Sequence, residues 1–176
     1  MSVYISVPDI ISKMKEETIQ KLTDRLRNLC SRREYCSSDI LKKATSYLEG
    51  DADAAEKVLQ TLVAEKYVSD LRYATAYARE KAMISGWGEN KIRYMLSGKR
   101  IDKDVITQAL AQIDEDKADS RLERLLENKA RSLKVDPQKR LKLLRFAMGR
   151  GYQYDDVAQV IDGLIWRDIE NSHQKR

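Results

Sequence analysis

The chain has 176 residues, with 33 Lys and Arg against 28 Asp and Glu for a formal net charge of +5, and only 7 Gly, 2 Pro, 2 Cys and 1 His. So few turn formers leave little chemistry for a hairpin-rich sheet fold, two cysteines argue against a disulfide scaffold, and no apolar run approaches the ~18 residues that span a bilayer. The single histidine, His173, supplies neither a catalytic triad nor a His-based metal site, and the dense interleaving of charged and apolar residues indicates an all-α cytoplasmic protein with no cofactor.

Residues 1–20 carry a faint helical pattern at Ile10, Ile11, Met14 and Ile19 and read as an N-terminal extension. A first helix is expected over 21–34. Leu41, Ala44, Thr45 and Leu48 step by three and four and predict a second. After the break at Glu49-Gly50-Asp51 a third begins near Asp53, with Asp51 placed to cap it. The triplet then recurs. A helix over 70–84 precedes one built on Ile92, Met95 and Leu96; a break at Gly98-Lys99-Arg100 follows, and Asp102 caps the next. A helix over 116–135 stops at Asp136-Pro137. Leu143, Leu144, Ala147 and Met148 form the next stripe, Gly149-Arg150-Gly151 breaks it, and the last helix starts near Tyr154.

A shift of 51 residues superposes these triplets without a gap. Leu41 falls on Ile92 and Leu143, Ala44 on Met95 and Phe146, Val58 on Ala109 and Val160, Leu59 on Leu110 and Ile161, Leu62 on Ile113 and Leu164. A repeating apolar skeleton under a freely varying surface is the mark of a repeat protein. The expected architecture is three tandem three-helix repeats, 21–68, 69–115 and 116–170, stacked into an elongated, curved array, with a flexible tail at 171–176.

Charge follows the repeat. Residues 13–43, 79–103 and 117–150 carry +4, +4 and +7, and the stretches between them are acidic. The cations gather on the middle helix of each repeat. Lys91, Arg93, Lys99, Arg100, Lys142, Arg145 and Arg150 are therefore binding candidates for an acidic protein surface or DNA phosphate; a salt-bridged, solvated face is the competing reading. Trp87, between two glycines, suits either an interface anchor or a filler between repeats. Trp166 is expected in the core. Cys30 and Cys36 are expected as buried or free thiols. Asp114-Glu115-Asp116 has no partner constellation for chemistry, and no phosphate-binding glycine loop or nucleophile elbow is present, so an enzyme is not expected.

Four ordered segments carry a resemblance. They are Ser31-Arg32-Arg33-Glu34-Tyr35 with Ser38-Asp39-Ile40-Leu41; Lys66-Tyr67-Val68-Ser69-Asp70-Leu71-Arg72-Tyr73-Ala74; Gly86-Trp87-Gly88 with Ile92, Leu96, Lys99 and Ile101; and Arg145-Phe146 with Arg150-Gly151-Tyr152 and Tyr154. Together they resemble the RecX family, regulators of the RecA recombinase. Lys66 and Arg100 stand where that family usually has Gly, and Ser69 where it has Asp. The resemblance implies three-helix repeats lodged in the groove of a RecA–single-stranded-DNA filament, restraining its growth, ATP hydrolysis and strand exchange. It implies RecA as partner, weak direct contact with single- or double-stranded DNA, no membrane and a monomeric state. Within the signatures Tyr67, Asp70, Arg72, Tyr73, Phe146, Gly151 and Tyr152 read as structural: Asp70 as a helix cap, Arg72 as the partner of a carboxylate, and the two tyrosines of the second signature as packing between repeats. The alternative is a helical-repeat protein that acts on nucleic acid directly.

Overall fold

The structure, a computed structural model, describes residues 7–113, 116–134 and 136–173. Among these the chain forms nine α-helices and no strand: α1 (Val7–Cys30), α2 (Ser37–Tyr47), α3 (Ala52–Ala64), α4 (Asp70–Met83), α5 (Glu89–Gly98), α6 (Lys103–Leu110), α7 (Asp116–Arg131), α8 (Lys139–Met148) and α9 (Tyr154–His173). They divide into three successive triplets. The acidic triplet Asp114-Glu115-Asp116 lies outside the described residues, apart from the Asp116 backbone that opens α7; the His173 side chain and residues 174–176 also lie outside.

Local chemistry accounts for the helix ends. Asp51 caps α3 by accepting from Ala54 N at 3.0 Å, and Asp102 caps α6 by accepting from Asp104 N at 2.8 Å. Each middle helix is followed by a left-handed residue, and these recur at 51-residue intervals: Glu49 (φ 52°), Arg100 (φ 59°) and Gly151 (φ 87°). After α8 the turn has the double bond pattern of a Schellman stop, Tyr152 N and Gly151 N donating to Ala147 O and Met148 O, and after α2 its longer bond is present, Gly50 N donating to Thr45 O.

Two compact units emerge. The first runs to Tyr73 and includes Lys99–Ile101; the second holds Ala74–Gly98 and the chain from Asp102 onward. The first unit is cored by Leu22 and Leu26 of α1, Ile40 and Ala44 of α2, and Ala55, Val58 and Leu62 of α3. In the second, α7, α8 and α9 bury Leu122, Leu126, Leu143, Ala147, Val157 and Ile161 together. Helix α4 buries only alanines, Ala74, Ala78 and Ala82, one per turn. A strip of methyl groups lets a neighbouring backbone approach closely.

Three expectations change. Residues 1–20 are not a separate extension up to a break at 21, because α1 is one helix from Val7 to Cys30. Its early turns hold Lys, Glu, Gln and Met, which form helix well even where Ile11 and Met14 stay exposed. It also stops at Cys30 rather than Glu34. The register of the middle helices slips by one between the first two repeats. Ile40 and Ala44 are the fully buried residues there, matching Ile92 and Leu96 and then Leu143 and Ala147, while Leu41 is half-buried and Met95 exposed. The third helices keep the 51-residue step. Finally, Trp166 is 63% exposed, not core. It lies two residues beyond buried Leu164, about 200° around the helix and so on the opposite face.

Candidate functional site

The four sequence signatures assemble into two joints, one in each compact unit. In the first unit, the segment before α2 meets the start of α4. Asp70 is the first residue of α4, but its carboxylate accepts from Ser37 N at 2.7 Å and so caps α2, a helix 33 residues earlier in the chain. Its own helix is capped by Ser69, whose hydroxyl accepts from Arg72 N at 3.3 Å. Asp70 is thus a cap, as expected, but of a different helix. Arg72 pairs with Glu34 at 2.9 Å and donates to Lys66 O at 2.9 Å. It ties the first signature to the second through Nε and Nη2. Tyr67 packs against the first core, and Tyr73 is half-buried.

Lys99 completes this joint. Its Nζ reaches both carboxylate oxygens of Asp39, at 2.7 and 2.9 Å, in the first turn of α2. Burial alone pushes the Asp39 carboxyl up, but the bonds from Lys99 and Cys36 outweigh it and hold the group below the usual carboxylate range. The Asp39 bond raises the Lys99 ammonium in turn. Lys99 is a binding candidate by sequence; in the structure it is half-buried and committed. Its partner Asp39 lies inside the first signature. A carboxylate there and a Lys in the third signature are the only trace of this pair in the sequence.

The second unit repeats the device with backbone atoms. Here the turn after α8 meets the start of α5. Gly88 N donates to Arg150 O at 2.8 Å and Asn90 N to Gly151 O at 3.1 Å, so two carbonyls of the third repeat satisfy amides at the start of α5. The approach is so close that a Cβ on Gly151 would lie 2.4 Å from Lys91 Cβ and N, and one on Gly88 would lie 2.5 Å from Gly151 O. Side chains seal the contact. Lys91 Nζ sits 4.6 Å over the Trp87 ring and donates to Gly149 O at 3.4 Å. The Arg150 guanidinium lies 4.5 Å from the centre of the Phe146 ring. Tyr152 is half-buried, and burial pushes its phenol up, against the lowering fields of Arg121 and Arg150. Trp87 is half-buried at this joint, with Lys81 as well as Lys91 over its ring. A cavity of about 370 Å³ opens beside it, lined by Ile92, Arg93, Arg121, Tyr152 and Asp156 among others.

The remaining cations separate by pairing. Arg93 bonds Glu89 at 2.7 Å and Thr107 Oγ1 at 3.0 Å. Lys142 pairs with Asp136, holding that carboxyl below its ordinary range. Around them Lys139 pairs with Asp168 and Arg140 with Asp162. Arg100 and Arg145 are exposed and have no ion pair among the described residues. Of the seven candidate cations these two are the exposed ones with no partner among the described residues. Cys30 and Cys36 are free and buried, and burial pushes both thiols up. Among the described residues no group of three or more His, Cys, Asp and Glu side chains is placed to hold a metal ion, and no helix is long and apolar enough to cross a membrane.

Comparison with known proteins gives a consistent result. A family model described as "RecX, second three-helix domain" matches residues 69–110, and "RecX, third three-helix domain" matches 115–161. The chain is 33% identical to a "Regulatory protein RecX" of Vibrio parahaemolyticus over 137 residues, 76% of this chain and 84% of that one. It is 30% identical to the protein so named from Clostridium botulinum over 161 residues, 89% and 71% of the two chains. A third, from Clostridium tetani, is 30% identical over 122 residues, and there the match spans 67% of this chain but only 56% of the relative. Two solved structures share the fold. One, a "regulatory protein RecX", has a TM-score of 0.81 at 20% identity, covering 92% of this chain and 80% of its own. The other, "RecX from Lactobacillus salivarius", has a TM-score of 0.75 at 21% identity, covering 86% and 99%.

Proposed function

The chain belongs to the RecX family of regulatory proteins, and from that premise we propose that it is a non-enzymatic regulator that binds RecA and its filament on single-stranded DNA, restraining ATP hydrolysis, filament extension and strand exchange. The observation that carries this reading is the 33% identity to a named regulatory RecX over most of both chains. The two joints support it. A regulator that spans several protomers must hold its repeats in fixed register, and the signature residues are spent on that register. Arg100 and Arg145 supply exposed positive charge, which speeds encounter with an acidic or phosphate-bearing partner more than it adds affinity.

The test is RecA ATPase on single-stranded DNA, titrated with this protein and with an Arg100→Glu/Arg145→Glu variant. Native protein slows hydrolysis in proportion to its concentration, and the double reversal shifts the titration to higher protein. Lys142→Glu, which alters an ion already paired with Asp136, shifts it less. No slowing by the native protein at any concentration overturns the reading. The competing function, direct action on nucleic acid, is favoured by the +5 net charge. It predicts tight binding to DNA alone with a steep loss as salt rises.

A further inference from the structure

On the first unit, α1 and α2 enclose an open groove of about 770 Å³. Its floor is half-buried Leu29, flanked by Leu22 and Leu26, which belong to the core and are almost wholly covered. Its walls are cationic: Arg25 and Arg32 from α1 and the turn beyond it, Lys42 and Lys43 from α2. No carboxylate lines it. Arg25 and Lys43 lie over the rings of Tyr47 and Tyr35, at 5.7 and 5.8 Å, and none of the four cations makes an ion pair among the described residues. The contrast with the second unit is chemical. There Arg93, Lys139, Arg140 and Lys142 are matched to Glu89, Asp168, Asp162 and Asp136. Here four cations stand around the groove with no carboxylate in its lining, Lys42 alone feeling the more distant Asp39.

We propose that this groove docks an acidic amphipathic helix of a partner protein. Half-buried Leu29 calls for an aliphatic side chain at the centre of the contact, and cations on both walls call for carboxylates flanking it. This is the helix-in-groove mode of recognition. The groove from Leu22 to Leu29 rises about 10 Å along α1, close to two turns of a bound helix. A nucleic acid strand would satisfy the cations but has nothing to lay on Leu29, and the one ring at the groove's edge, Tyr47, already faces Arg25. The proposal does not rest on the recombinase reading, because its test contains no recombinase.

The probe is a fluorescently labelled synthetic peptide of about 15 residues, long enough for a marginal helix, with Leu on one face and Glu on the other. It is titrated with the full chain and followed by anisotropy. It binds, binding weakens as salt rises, and an Arg32→Glu/Lys42→Gln variant loses about tenfold or more in affinity. Far-UV circular dichroism and the unfolding midpoint of that variant stay native, since both side chains are exposed and unpaired. A peptide of the same composition with its leucines scattered binds weakly. Failure to bind, or equal binding of the scattered peptide, overturns the proposal. Tighter binding of oligodeoxythymidine, abolished by the same variant, reassigns the groove to single strands. Self-association of the native chain that the variant abolishes reassigns it to a second copy.

Discussion

Replacing Gly151 by Ala tests the claim that the second joint is held by close backbone approach. Two costs act together. The residue has φ 87°, and placing an L side chain in the left-handed region costs about 1–2 kcal/mol. The new Cβ would also lie 2.4 Å from the backbone N of Lys91, where no flexible side chain can yield. The turn must move away from α5, breaking the bonds from Gly88 N and Asn90 N. Those amides lose their acceptors at about 1 kcal/mol each. The combined loss is about 3–4 kcal/mol. For a two-state domain of this size that lowers Tm by about 10 °C. Thermal unfolding followed by far-UV circular dichroism measures it, and amide exchange at Gly88 and Asn90 shows whether protection is lost there first. Gly163→Ala is the control. That glycine sits inside α9 with nothing within 4 Å of a new Cβ, so the change should stabilise by about 0.5–1 kcal/mol. If Gly151→Ala unfolds at the native temperature, or if the two variants move alike, the joint is not what holds the third repeat to the second.

Two further outcomes follow from single positions. Lys66 has φ 64° at the end of α3, where its N donates to Val63 O and Tyr67 N donates to Leu62 O, the bonds of a Schellman stop that glycine serves best. Lys66→Gly should raise stability by about 1 kcal/mol, read as a higher denaturant midpoint at unchanged slope; a lower midpoint would show that the left-handed turn carries no strain. The Asp39–Lys99 pair should give a stability step at each end of the pH scale. Asp39 is held below its ordinary value, so its contribution is complete above the unfolded carboxylate range near 4 and drains away as pH falls through the lower folded value. Lys99 is raised, so its contribution is complete below about 10.4 and is lost as pH rises through the folded value. Asp39→Asn should flatten both steps in unfolding curves taken across pH, and a variant that keeps the native acid profile would place the acid loss elsewhere.

Much of the fold was readable because it depends on spacing. Apolar residues at three and four, aspartates ahead of helices, and a turn every 51 residues are local signals, and Asp51, Asp102 and Gly151 do in the structure what their positions suggested. What could not be read is long-range. Asp70 looks like the cap of its own helix, because a carboxylate at a helix start has that meaning in one dimension. Only the fold brings Ser37 N to it, 33 residues away, while Ser69 takes over the local role. Trp166 was misplaced for a different reason. Its neighbours in sequence are apolar, but a separation of two residues turns it away from Leu164. The candidate cations were the hardest case, because a lysine at a functional surface and one paired across 60 residues, as Lys99 is with Asp39, look the same in a sequence.

That ambiguity bears on where the molecule meets its partner. The family signatures are rich in charge, and Lys91, Lys99, Arg72 and Arg150 would be the natural choice for a binding face. Each is instead already engaged, by a ring, a carbonyl or a carboxylate of the joints. Mutating them would loosen the register between repeats and weaken binding indirectly, so loss of activity in such variants is no proof of contact. A charge that is free to engage a partner must be exposed and unmatched. By that criterion the cations to test are Arg100, Arg145 and the four around the α1–α2 groove, whose lining holds no carboxylate. The distinction is measurable. Reversal at a joint should lower the unfolding midpoint and partner affinity together, whereas reversal at Arg32 should lower affinity while the midpoint stays where it is.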